Sequence, residues 1–386
     1  DSVPLAYLNS KPAQLFASAI TQSLDYTCGT VSKLPSGPIS VGASALAANA
    51  NLLVALSRAD WDAYERSWDF QSLPILTASS DPTPTLESSY TAWITQNKGT
   101  IAEMKRLEEE NNRLFIDAYG LADELTPDVP IEQITLTVNP AYRYGGKLTE
   151  EEQWTRFRQD TMEELVSYAI GCMMGRYSPE APGLIYAHSG NEGFDPSQYT
   201  TFPADDDGIV PLTDTEWFED DACNRLVEFI AVAWPSDGGS HLEENLDFLA
   251  ANLNPKQNES SRETLRRYLC DRFFKDHLQS YKKRPIYWLF SSGKHKALQC
   301  LVYLHRYNEG TLIDAMQNAW KFVADPALRD RLKEAKGIGT PATRAEIIKG
   351  LKAQNLLAAS GKQVIPTASG LRLYELLRSA APSLVD

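Results

Sequence analysis

The sequence predicts a mainly helical α+β protein divided into several domains, and three observations carry that prediction. Segments near residues 90–118, 150–176 and 260–279 repeat apolar residues at helical spacing. A single stretch, Ile286 to Phe290, alternates its side chains at strand period. The 386 residues, interrupted by Pro-, Ser- and Gly-rich stretches, are enough for two or three hydrophobic cores. A content of 43% hydrophobic and 23% charged residues is that of a globular protein. No run approaches the roughly 18 apolar residues of a membrane span, so no membrane partner is expected. The chain opens on Asp1-Ser2-Val3 with no charged, then apolar, leader, and reads as a fragment of a cytoplasmic protein.

Taken in order, residues 4–34 read as a short helix with Leu15, Phe16, Ala19 and Ile20 on its packed side, then a strand-like patch ending at Pro35. An Ala/Leu-rich helix follows near residues 42–57. Trp61, Tyr64 and Trp68 then recur at i, i+3 and i+7, the spacing of one packed helix face. Stacking on splayed bases is the functional alternative for these rings. Residues 77–88 form a Pro/Ser/Thr linker. Residues 90–118 read as one long helix stopped by Gly120, with Ile94, Ile101, Met104, Leu107, Leu114 and Ile116 opposite a charged side, as in a spacer or an interdomain coiled-coil arm. A helix over residues 150–176 turns Trp154, Phe157, Met162, Leu165 and Ala169 inward. Three further helices are expected from residue 214, around 239–252 and around 260–279. The divisions that follow are 1–76, a linker and long helix over 77–120, a helical α+β region over 121–307, and a tail over 308–386.

Cys28, Cys172, Cys223, Cys270 and Cys300 show no CxxC spacing and no paired histidines, so they read as core thiols of a reducing compartment, with no metal site expected. The formal charge of −14 argues against indiscriminate binding to nucleic acid. That charge is unevenly placed, because from Glu309 onward eleven Lys or Arg face eight Asp or Glu. Asp205, Asp206, Asp207, Asp214, Glu216, Glu219, Asp220 and Asp221 form an acidic run that reads as a solvated loop.

Two stretches carry candidate chemistry. In RPIYWLFSSGKHKALQCLVYLHRY, the turn Ser291-Ser292-Gly293 separates the aromatic strand from an apolar run, Ala297 to Leu304, long enough to be a buried helix. Amides at such a helix N-terminus, beside Lys282, Lys283, Arg284, Lys294 and Lys296, would suit a phosphate; the plainer reading is that these cations solvate the edge of a core. The second stretch is VNPAYRYGG. Enzymes that methylate the exocyclic amine of adenine hold the flipped base with an Asn/Asp-Pro-Pro-Tyr loop after a strand. Here ITLTV supplies the strand and Asn139, Pro140 and Tyr142 fill three of the four positions, but Ala141 replaces the second proline. No Gly-rich loop suited to S-adenosylmethionine precedes it. A turn is the favoured reading, with Asn139 and Tyr142 kept as candidate base contacts.

Three long strings, ADWDAYERSWDFQSLPIL, LEEENNRLFIDAYGLADELTPDVPIEQITLTVNPAYRYG and KKRPIYWLFSSGKHKALQCLVYLHRYNEGTL, resemble in order the C-terminal part of the PglX family, adenine-specific DNA methyltransferases of BREX phage-defence systems. The resemblance covers roughly residues 1–312. It implies a target-recognition region without the catalytic domain, double-stranded DNA and other BREX components as partners, and S-adenosylmethionine as the cofactor of the full-length family but not of this stretch. From about residue 306 the chain instead resembles type IA DNA topoisomerases of the topoisomerase III kind, most clearly in GIGTPATRAEII. There a Gly-rich turn opens a helix presenting Thr343, Arg344 and Lys349, a pattern suited to a DNA phosphate. LLAASGKQVIPT then reads as a hairpin about Ser360-Gly361 before a final helix, an order that resembles a winged-helix unit. The topoisomerase family's catalytic tyrosine segment and acidic metal-binding domain have no counterpart upstream, so no catalytic residue is assigned. A topoisomerase fragment contributing backbone binding and a protein-interaction module are the alternative readings.

Overall fold

A computed structural model describes residues 2–21, 27–35, 42–216, 218–235, 241–291, 299–311, 315, 351–360 and 363–373. The chain divides into two compact units, Asp1–Asp160 and Thr161–Asp386.

The first unit is built on helices α1 (Ser2–Leu8), α2 (Lys11–Ile20), α3 (Cys28–Val31), α4 (Ala43–Asp62) and α5 (Leu86–Tyr119). α5 runs 34 residues because both of its ends are specified. Thr85 and Ser88 form a reciprocal capping box at its start, and Gly120, at φ 66°, ends it with its N–H directed back to Asp117 and Ile116. It is no spacer. Trp93, Asn97, Ile101, Met104, Leu107, Asn111 and Phe115 are buried along its length, and α1, α2 and α4 pack against it. Tyr7, Ala13, Leu46, Ala50 and Phe115 make one core cluster of this unit. In α2 the expected face is reversed: Pro12, Ala13 and Ala17 are buried, while Leu15 and Ile20 are exposed. Residues 28–31 of the strand-like patch are a helical turn. ITLTV forms no strand either. Ile131–Gln133 is a 3-10 turn, and the amides of Thr137 and Val138 donate to the two carboxylate oxygens of Asp60 at 2.7 and 2.9 Å. α6 (Pro140–Tyr144) follows.

α7 (Glu150–Met173) starts in the first unit and ends in the second. Its Phe157, Met162, Leu165 and Ala169 are fully buried, as its spacing predicts. The second unit adds α8 (Ala222–Ala233), α9 (Leu242–Ala251), α10 (Ser261–Tyr268), a π-helical turn over Leu269–Phe273 and α11 (Phe274–Ser280). The sheet holds β1 (Ile209–Pro211), β2 (Tyr287–Ser291) and β3 (Gln299–Tyr303) in the antiparallel order β1-β3-β2. The apolar run expected as a helix is therefore the central strand. β3 is buried at every position, and a strand covered on both faces reads as a continuous apolar run that periodicity cannot tell from a buried helix.

The acidic run is only partly a solvated loop. Asp205 is largely buried and its Oδ1 accepts the amides of Asp207, Gly208 and Ile209. Asp221 is fully buried, caps α8 through the amides of Cys223 and Asn224, and pairs with the buried guanidinium of Arg266. In the tail, β4 (Leu357–Ser360) pairs antiparallel with β5 (Gln363–Pro366), as the hairpin reading expects, and residues 368–373 are helical.

Candidate nucleic-acid interface

The basic turn ahead of β2 is fixed by backbone geometry. α11 ends at Ser280, and Lys282 and Lys283 both adopt left-handed φ, 49° and 63°. Consecutive lysines rarely do so, since a side chain there costs energy that glycine avoids. The turn is held by Lys283 N–H donating to Leu278 O at 2.7 Å and Arg284 N–H donating to Tyr281 O at 2.9 Å. Lys282, Lys283 and Arg284 are all exposed, at the end of a helix whose partial negative charge favours cations.

His277 anchors the turn to the sheet. Its Nε2 accepts the amides of Ile286 and Tyr287 at 3.0 and 3.3 Å, so the ring is neutral with its proton on Nδ1. Burial, reinforced by the nearby Arg176 charge, holds its pKa down at about 4. The ring lies among aromatics, 4.8 Å from Tyr281 and 4.9 Å from Tyr287 between centroids. Sequence reading passed over His277, because a lone histidine on a helix carries no local signal of the amides it receives.

β2 then separates the two halves of the basic stretch. Four strand intervals put Ser291 about 13 Å from Tyr287. Ser291, half-buried, pairs with Gln299 at the far end of the hairpin. Of the apolar run expected as a helix after Ser291, Gln299–Tyr303 is strand β3, and the expected helix N-terminus lies outside the described residues. Ser292, Lys294 and Lys296 lie outside the described residues, as do Thr343, Arg344 and Lys349.

The VNPAYRYGG segment folds as a capped turn. Asn139 is buried, donates to the carbonyls of Ile131 and Ile134 at 2.7 and 2.8 Å, and accepts the Ala141 amide at 3.2 Å. Its side chain thus caps α6. Tyr142 is 48% exposed, whereas Arg143 pairs with Asp160 at 3.0 Å. With no strand before it and its asparagine engaged by the backbone, this segment does not fit a pocket for a flipped base and a methyl donor, and no transfer step passes through it.

At the junction of the two resemblances, Arg306 is buried. Its guanidinium lies 3.7 Å from the Phe194 ring centre, and it donates to Asn191 Oδ1 at 3.0 Å and to the carbonyls of Asp205 and Asp206. Ala315 packs with Ile209, Cys300 and Val302, and Tyr307 lies against them. No group of His, Cys, Asp and Glu among the described residues could hold a metal ion. Nor is any described helix long and apolar enough to cross a membrane.

Comparison with known proteins finds relatives of two kinds. The chain is 43% identical over 317 residues to the adenine-specific methyltransferase BrxX of Escherichia coli O9:H4, covering 80% of this chain and 25% of that protein. It is 36% identical over 317 residues to the adenine-specific methyltransferase PglX of Lacticaseibacillus casei, covering 80% of this chain and 24% of that one. The chain therefore spans about a quarter of the length of these relatives. Over 76 residues it is 42% identical to DNA topoisomerase 3 of Bacillus licheniformis, 19% of this chain and 10% of that enzyme. The DNA topoisomerase family profile matches residues 304–386. Across most of its length the chain is thus similar to the BrxX and PglX adenine-specific methyltransferases, and at its C-terminal end to DNA topoisomerases.

Proposed function

We propose that this chain binds double-stranded DNA and serves target recognition for an adenine-specific DNA methyltransferase of the BREX type, methyl transfer itself residing elsewhere in such an enzyme. The carrying observation is the turn Lys282-Lys283-Arg284: three successive exposed cations, the first two on a left-handed backbone, with the strand that follows anchored through His277. Cations on a hydrogen-bonded turn suit the phosphate backbone, whose contacts set register and orientation. In this reading Ser292, Lys294 and Lys296 extend the contact. S-adenosylmethionine belongs to the full-length enzyme.

The topoisomerase-like tail supplies a second reading, DNA backbone binding through Thr343, Arg344 and Lys349, favoured by the match over residues 304–386. One experiment on the full chain separates the two. Duplex affinity is measured by fluorescence anisotropy from 50 to 300 mM salt for the wild type, for the triple variant Lys282→Ala, Lys283→Ala, Arg284→Ala, and for Arg344→Ala. Loss of three phosphate contacts is expected to flatten the slope of log K against log salt by up to about 2.7, at roughly 0.9 per contact. An unchanged slope in the triple variant with a reduced one in Arg344→Ala transfers the function to the tail; unchanged slopes in both reject DNA-backbone binding at either place.

A further inference from the structure

Two tryptophans of the first unit, Trp61 and Trp68, are exposed, and the DNA reading leaves them unused. α4 ends at Asp62 and is followed by a compact turn, so Trp61, Tyr64 and Trp68 do not share a helix face. Tyr64 and Phe70 are buried, at 6% and 3% exposure, whereas Trp61 is 54% and Trp68 100% exposed. The turn that carries Trp68 is tightly held. Ser67 N–H donates to Tyr64 O at 2.9 Å, Ser67 Oγ to Asp62 Oδ1 at 2.5 Å, and Arg143 lies 5.9 Å from the Tyr64 ring centre. Two large amphipathic rings are therefore left in water, at the end of α4 and on the turn that follows it.

The charge around them selects the partner. Asp60, Asp62, Glu65 and Asp69 stand within the same ten residues as one cation, Arg66, and residues 1–160 carry 21 Asp or Glu against 12 Lys or Arg. Such a field repels a phosphate backbone and attracts cations. Arg66 places its guanidinium 5.9 Å from the centre of the Trp61 ring, an example of the kind of group such a ring receives. We infer that Trp61 and Trp68 are a docking surface for an arginine-bearing segment of a partner protein, whose guanidinium groups stack on the rings while Asp62 and Asp69 neutralise them. Tryptophan is the residue type most enriched among interface side chains that dominate binding energy.

The test uses the full chain with fluorescently labelled nona-arginine, nona-lysine and fifteen-residue oligo-dT as probes, measured by anisotropy for the wild type, Trp68→Ala and the double variant Trp61→Ala, Trp68→Ala. Thermal midpoints verify folding. Both variants preserve every charge, so generic attraction to an acidic protein cancels. Nona-arginine affinity is expected to fall roughly threefold to tenfold in Trp68→Ala and further in the double variant, with a smaller change for nona-lysine. Unchanged nona-arginine affinity in both variants overturns the proposal. So does a loss confined to oligo-dT, which would make the surface a platform for bases.

Discussion

His277 couples pH to the basic turn. Its pKa, ordinarily about 6.5, is held at about 4 by burial and by Arg176. Protonation at Nε2 removes the acceptor for both the Ile286 and Tyr287 amides. Above pH 6.5 the ring is neutral in the folded and unfolded chain alike. As pH falls from 6.5 towards 4, the unfolded chain takes up a proton that the native site refuses, so stability declines, by about 3 kcal/mol at the limit. Asp205 has the opposite sign: burial, with Asp207 beside it, raises its carboxyl to about 7, so its contribution is lost as pH rises through that value. Urea midpoints from pH 7 to 4 should fall more steeply for the wild type than for His277→Gln, whose side-chain carbonyl can still accept an amide but does not titrate. Parallel curves would remove His277 as the coupled group.

Among the elements, α4 and the segment after residue 134 are joined by a single carboxylate. Asp60 accepts two consecutive amides, Thr137 and Val138, in place of the strand pairing that ITLTV lacks. Asp60→Ala leaves both donors without this acceptor and should destabilise the first unit by about 2–4 kcal/mol, read as a lower denaturant midpoint, whereas Asp62→Ala should cost less than about 1 kcal/mol. Equal effects would mean that water satisfies the two amides. The strand's propensity was legible, because Ile and Thr favour extended backbone. Its partner was not, since an extended segment becomes a strand only where another edge offers a ladder, and here an aspartate on a distant helix fills that role.

For the molecule as a whole, the DNA topoisomerase match begins at residue 304, inside the second unit's sheet core. Arg306 holds the 205–206 loop, and Ala315 and Tyr307 cover Ile209, Cys300 and Val302. The similarity boundary is therefore not a folding boundary. A chain ending at Tyr303 should be at least about 3 kcal/mol less stable in its second unit than one ending at Met316, because Asp205 and its loop lose the buried guanidinium. Indistinguishable thermal midpoints for the two truncations would show that residues 304–315 are dispensable to the sheet. Full-length, truncated and variant chains can be followed by the same hydrogen-exchange measurement, which reports on β1 and β3 separately from the first unit.

The sequence by itself determined the helices that carry their own start and stop signals: α5, ended by Gly120; α7, whose inward residues keep their spacing; and the hairpin about Ser360-Gly361. It also carried the two resemblances, because long strings of residues survive without any knowledge of packing. Tertiary structure decided what local pattern leaves degenerate. The apolar run through Cys300 and Val302 became a strand because β1 and β2 flank it, and Trp61 and Trp68 stayed in solvent because α4 stops at Asp62. Asn139 became a cap and His277 an acceptor of two amides for the same reason. Hydrogen-bond partners and burial are set by residues remote in the chain, and a one-dimensional pattern records neither.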